Sequence, residues 1–237
     1  MNGAYQSPSD QRTVPMPSAV ISATALVKRK RITSSGVAAA GAALRLSLIV
    51  LTVLAARSTT PESNANFSEP SGQTFLGMTC SVPTSAVTLA DYYAQFAVNT
   101  RAVFLGVQAI VPRLNDGASV ILMSSAATAK VMDGHAAYAG AKAAIEAFAR
   151  SWALEFKDRR IRVNVLSPGP VKTPILTKLG ISEAALPGFE AQVAAAIPLG
   201  RLGRPDELAQ AALFLASEAS SFVTGVNLRV DGGIALT

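Results

Sequence analysis

From residue 85 onward, short apolar runs of strand length alternate with longer stretches of helical period. ASVILMSS, RIRVNVLS and GVNLRVDGG are rich in Val, Ile and Leu and are bounded by turn residues, as buried strands are. TLADYYAQFAVNTRAVFLGVQAIVPRL predicts a long helix, with Thr88 as its cap and Asp91 three residues on as a variant capping box. AYAGAKAAIEAFARSWALEF carries Ala141, Ile145, Phe148 and Trp152 at helical spacing, so Trp152 is expected in the core. PDELAQAALFLASE starts at Pro205, suited to a first helical turn, and repeats Leu208, Ala211, Ala212 and Leu215. Alternating helices and buried strands imply a parallel sheet covered on both faces, an α/β fold.

Composition narrows the partners. The 237 residues fit one α/β domain, alone or with an appendage. The formal charge of +6 is spread along the chain, apart from Lys28, Arg29, Lys30 and Arg31, and no basic run is interleaved with aromatics. That argues against a nucleic-acid partner. Cys80 stands alone, which excludes an internal disulfide and fits a reducing, cytoplasmic setting. One histidine and one cysteine cannot build a Cys/His zinc site, so no metal is expected.

The pattern changes near residue 85, dividing the chain into an atypical segment 1–84 and a regular domain 85–237. Residues 1–35 and 57–84 are rich in Ser, Thr and Pro. Between them lies GVAAAGAALRLSLIVLTVLAA, residues 36–56, with three readings. It is long enough to span a bilayer, with a basic flank before it. It could serve as an export signal, although its leader is long. The third reading is a buried helix and strand, with SLIVLTVLAA in the core.

Chemistry concentrates in SSAATAKVMDGHAAYAGAK, where Ser125 lies thirteen residues before Tyr138 and Lys142 four after it. A free phenol titrates near ~10, so proton transfer at neutral pH needs about 4 kcal/mol of help. A lysine one helical turn away favours the phenolate, and the serine can donate to a substrate oxygen. Strand alternation points Ser124 and Ser125 in opposite directions. His135, just before the tyrosine, reads as a cleft wall or a solvent-facing group.

These blocks together resemble the short-chain dehydrogenase/reductase family over residues 85–237. AVNTRAVFLGVQA resembles its catalytic-asparagine helix, VILMSS and YAGAK its Ser, Tyr and Lys, VNVLSPGPVKTP its nicotinamide loop, and PLGRLGRPDELAQAALFLASEASSFVTGVNLRVDGG its closing helix and strand. The resemblance implies a Rossmann-like, doubly wound parallel sheet and an NAD- or NADP-dependent oxidoreductase acting on a small-molecule carbonyl or alcohol. It makes Tyr138 the proton carrier and Lys142 its activator and ribose ligand. Ser125, favoured over Ser124 by the family's spacing, would hold the substrate oxygen, and Asn99 would position a water. Pro168, Gly169, Val171 and Thr173 would line the nicotinamide pocket. The apolar segment from Ile175 to Ala196 would cover the substrate, whether a fatty-acyl chain, a steroid or a cyclic ketone. Apart from the resemblance, Arg201 and Arg204 read as cap and anchor of the loop before the last helix, and Asp231, Gly232 and Gly233 as a turn beside the C-terminal strand. Family members pair through the helices at 88–113 and 138–157, so a homodimer or homotetramer is expected.

The family's opening T-G-x-x-x-G-x-G turn is not found, and its N-N-A-G strand end is missing. SSGVAAAGAA offers only Gly36 and Gly41, at other spacing and too close to Asn99 for three strand–helix units of roughly 30 residues each. The sheet is therefore expected to be incomplete at its N-terminal side. Residues 1–84 are either a divergent replacement or the product of a frame or start error, and the abrupt change near 85 favours the latter. A catalytically impaired remnant acting as a binding or assembly subunit is the rival functional reading.

Overall fold

The computed structural model describes residues 48–51, 82–173 and 181–237. Among them, four strands form one all-parallel sheet in the order β1-β2-β3-β4: β1 (Leu48–Leu51), β2 (Ser119–Met123), β3 (Arg162–Pro168) and β4 (Asn227–Val230). Residues of β2 and β3 pair as Ile121 with Asn164, and those of β3 and β4 as Leu166 with Leu228. Parallel neighbours need long crossovers, and helices supply them. Helix α1 (Leu89–Phe96) and α2 (Ala102–Ile110) precede β2, α3 (Ala136–Glu155) joins β2 to β3, and α4 (Leu186–Ala195) and α5 (Pro205–Ala216) lead to β4.

Both sheet faces are covered, as the sequence pattern requires. Val120, Leu122, Val163 and Val165 pack with Val107, Ile145, Ala149 and Trp152 from α2 and α3. The alternate positions Ile121 and Leu166 pack with Leu208 and Leu215 of α5. A strand has a side-chain period of two, so one apolar run serves two layers. Ile145 has no exposed surface, and burying a side chain of that size stabilises by about 1.5–3 kcal/mol.

Polar groups inside this core hold the elements in place. Arg162 donates from Nη1 to the Leu215 carbonyl (2.9 Å) and to Ser220 Oγ (2.8 Å), satisfying an end carbonyl of α5. Asn164, fully buried, donates to the Val223 carbonyl (3.0 Å) and accepts from the Val226 amide (3.2 Å), which fixes the entry to β4. At the start of α1, Thr88 Oγ1 accepts from the Asp91 amide (3.1 Å) while Asp91 Oδ2 accepts from the Thr88 amide (3.3 Å). This is the capping box the sequence predicts.

Two features were not legible beforehand. Residues Ala97–Arg101 form a wide turn of π type between α1 and α2, within one rod running from Leu89 to Arg113. Helix α4 lies inside the stretch read only as a cleft cover. Of the apolar segment 36–56, Leu48–Leu51 forms a strand beside β2, consistent with the strand reading; its other residues lie outside the described part. The rod Leu89–Arg113 is itself long and apolar enough to cross a membrane by composition. It packs on α3 and contributes Val103 and Val107 to the core.

Candidate active site

Strands β2 and β3 are parallel neighbours, so their C-terminal ends open on the same edge of the sheet, where ligands of open α/β sheets bind. Just past β2, Ser125 is extended (φ −157°, ψ 150°) and its hydroxyl accepts from the Ala127 amide (3.2 Å). The same hydroxyl faces the Tyr138 phenol on the first turn of α3 and favours its ionised form. Ser124 turns the other way. Its Oγ donates to Glu146 Oε1 (3.0 Å) and lies 3.3 Å from the Lys142 carbonyl. Ser124 and Ser125 thus point in opposite directions, with Ser125 on the side of Tyr138.

Lys142 stands one turn after Tyr138, with Nζ 6.0 Å from the phenol ring centroid. The ammonium donates to the Met123 carbonyl (3.1 Å) at the end of β2. Burial disfavours its charge and brings its pKa from 10.5 down to about 8. The sequence argument that Lys142 lowers the Tyr138 pKa needs correction for the chain by itself. Burial pushes the phenol up, and the hydrogen bond from Ser125 opposes that push only in part. With its amine held on a backbone carbonyl, the lysine does not reverse the effect of burial. The phenol is therefore protonated at neutral pH.

Asn99 sits in the π-type turn, buried, and its Nδ2 donates to Gln95 Oε1 (2.9 Å). The adjacent Thr100 hydroxyl donates to the Ala141 carbonyl (2.8 Å), fastening this turn to α3 between Tyr138 and Lys142. His135 precedes α3, and its Nδ1 donates to the Asp133 carbonyl (2.7 Å).

The loop after β3 is held from two sides. Pro168 ends the strand, and the Gly169 amide donates to the Val230 carbonyl (3.0 Å) at the end of β4. A Cβ on Gly169 would lie 2.6 Å from the Asp231 Cα, so only glycine fits there. Val171 bridges to Gly203, and the Lys172 amide donates to the Gly203 carbonyl (2.9 Å). A Lys172–Glu190 ion pair (2.7 Å) connects the loop to α4. Thr173 borders residues 174–180, which lie outside the described part, as does that portion of the expected substrate cover. Arg201 makes two bonds to Glu207 (2.6 and 3.0 Å), while the Arg204 amide donates to the same carboxylate (2.7 Å). Both arginines thus anchor the loop before α5, as expected.

The site offers a half-buried phenol, the Ser125 hydroxyl and an amine at the mouth of a parallel sheet, beside a loop braced from behind. That donor set fits the nicotinamide and ribose of a dinucleotide. No described residue can be assigned to its pyrophosphate or adenosine end. Among the described residues, no cluster of His, Cys, Asp or Glu could hold a metal ion. Gln95 and Glu146 were not singled out in the sequence. An amide four residues before Asn99 on one helix was the available signal for Gln95.

Comparison with known proteins matches residues 74–235 to the family profile described as enoyl-(acyl carrier protein) reductase. A 2,5-dichloro-2,5-cyclohexadiene-1,4-diol dehydrogenase from Sphingobium indicum is 40% identical over 139 residues, 58% of this chain and 53% of that protein. A 3-oxoacyl-[acyl-carrier-protein] reductase from Thermotoga maritima is 38% identical over 150 residues, 62% of this chain and 58% of that protein. The chain therefore spans little more than half the length of these curated relatives. Among solved structures, a short-chain dehydrogenase/reductase from Brucella melitensis superposes with a TM-score of 0.60 at 31% identity, covering 67% of this chain and 62% of that one. A small-chain dehydrogenase in complex with NADPH gives 0.62 at 27% identity, covering 68% and 71%. The parallel sheet, the shared fold and the extent of the profile match together make this chain a member of the short-chain dehydrogenase/reductase family.

Proposed function

We propose that the protein is an NAD(P)-dependent oxidoreductase that reduces a carbonyl or oxidises an alcohol. The convergence of the Ser125 side chain on the Tyr138 phenol, one helical turn before Lys142 at the open edge of the sheet, is the observation that carries this reading. Solved relatives in complex with NADPH support the choice of cofactor. When bound, the nicotinamide gives or takes the hydride. Tyr138 supplies the proton to a carbonyl oxygen, and its protonated state suits that direction. Ser125 donates to the same oxygen as charge develops on it. Lys142 would hold the nicotinamide ribose, and its positive charge would favour the phenolate that the alcohol direction requires. Asn99 holds a water toward the lysine. Pro168, Gly169, Val171 and Thr173 back the nicotinamide.

The expected setting is the cytoplasm, and the expected assembly a homodimer or homotetramer. Pairing through the helices at 88–113 and 138–157 is supported by exposed Tyr93, Leu105 and Leu154. One sequence feature favours a second reading, a catalytically impaired subunit: the glycine-rich turn for the pyrophosphate is not found.

Titration with NADH and NADPH, beside the Tyr138→Phe variant, separates the two. The enzyme reading expects saturable binding of one nucleotide and carbonyl reduction that Tyr138→Phe removes. Absence of both assigns the chain to the second reading.

A further inference from the structure

We propose that Glu146 is a positioning residue, whose carboxylate fastens the end of β2 to α3 through the Ser124 hydroxyl and so keeps Ser125 facing Tyr138. This rests on the hydride-transfer reading above. Ser124 is 5% exposed and Glu146 is half-buried. A buried hydroxyl is costly unless it is bonded. Ser124 has one proton to give, and two acceptors lie near it: Glu146 Oε1 at 3.0 Å and the Lys142 carbonyl at 3.3 Å. That carbonyl lies in the middle of α3, where the helix ladder already meets it. The carboxylate is the stronger acceptor and takes the proton.

The junction matters because the reacting side chains sit on its two sides. Tyr138, Lys142 and Glu146 follow one another at helical spacing along one stripe of α3. Glu146 therefore grips the strand end about 12 Å along the helix from the phenol, with the amine between them. Successive residues of an extended chain point to opposite sides, so holding Ser124 against Glu146 leaves Ser125 on the side of Tyr138. A second bond spans the same junction, from Lys142 Nζ to the Met123 carbonyl (3.1 Å). That one occupies the amine which the reaction needs. The bond between Ser124 and Glu146 uses no reacting group, so it can stay made through a whole turnover.

The test compares Glu146→Met with Glu146→Gln. Both remove the charge, and only the first removes the acceptor. Turnover by Glu146→Met should fall about tenfold, the worth of one hydrogen bond, while nucleotide affinity stays within about twofold. Glu146→Gln should keep most of the activity. Ser124→Ala, a smaller change in the same pair, should match Glu146→Met, and the two together should cost no more than either alone. Equal losses in Glu146→Gln and Glu146→Met, or a double variant whose losses multiply, overturn the proposal. A second readout needs no turnover. In the full chain labelled with 13C-lysine, the Lys142 signal is identified by its loss in Lys142→Met and followed against pH. Burial holds this amine at about 8, and a junction that admits water should let it rise in Glu146→Met relative to Glu146→Gln. Identical titrations in the two variants overturn the proposal even if catalysis is absent. The upward shift without any Tyr138-dependent turnover supports the fastening and counts against the enzyme reading instead.

Discussion

Lys142 places a positive charge where burial opposes it, and replacing it should make the protein more stable near neutral pH. Its pKa falls from 10.5 to about 8, a change that amounts to about 3 kcal/mol of unfavourable folding energy while the amine is charged. Lys142→Met keeps the apolar stem and removes the charge. It also removes the bond to the Met123 carbonyl at 3.1 Å, a loss of about 1 kcal/mol. The expected net gain is about 2 kcal/mol at pH 7. The sign follows from proton counting. Between about pH 8 and 10.5 the unfolded chain holds more protons at this site than the folded one, so wild-type stability rises with pH. The advantage of Lys142→Met should therefore shrink over that window and nearly vanish by about pH 10. Above that, the raised pKa of Tyr138 acts in the opposite direction, because the folded chain then holds the extra proton. Urea unfolding of both proteins from pH 7 to 10 measures the difference directly. A variant less stable than wild type by the same amount at every pH would refute the argument, since no charge cost would then exist to relieve. The price of the gain is function: Lys142→Met should be inactive.

Other perturbations have equally definite outcomes. Ser125→Ala should lower turnover by about 10²-fold or more with little change in nucleotide affinity, read by steady-state kinetics beside titration. Gly169→Ala sets a methyl 2.6 Å from the Asp231 Cα and should cost about 1–3 kcal/mol in thermal unfolding. Ile145→Ala, at a fully buried position, should cost about 2–5 kcal/mol in urea unfolding. Thr88→Ala breaks the cap on α1 and should cost about 1 kcal/mol by the same measurement.

Most of the regular part of the fold could be read from the sequence, because strand and helix periods are local properties. Ile121 and Leu166 on one face, with Val120, Leu122, Val163 and Val165 on the other, follow from the apolar runs alone. Capping at Thr88 and the start of α5 at Pro205 were equally local. The spacing of Ser125, Tyr138 and Lys142 was legible as well, because it is counted along the chain. What escaped depended on three dimensions. The π-type turn has no composition of its own, and α4 carries Pro187 and Gly188 in its first turn. The electrostatics of Tyr138 escaped for a similar reason. Spacing shows a nearby cation, whereas burial and the competing Met123 carbonyl emerge only from packing.

The opposed serines at the end of β2 carry a consequence for how the protein can fail. Adjacent hydroxyls divide two duties, one locking helix to strand and the other meeting the phenol. Sliding β2 by one position would trade their directions and, in the same stroke, turn Val120 and Leu122 away from Ile145 and Trp152. Greasy contacts far from the chemistry thereby proofread the aim of a single oxygen, and a misthreaded chain would lose its solidity along with its reactivity.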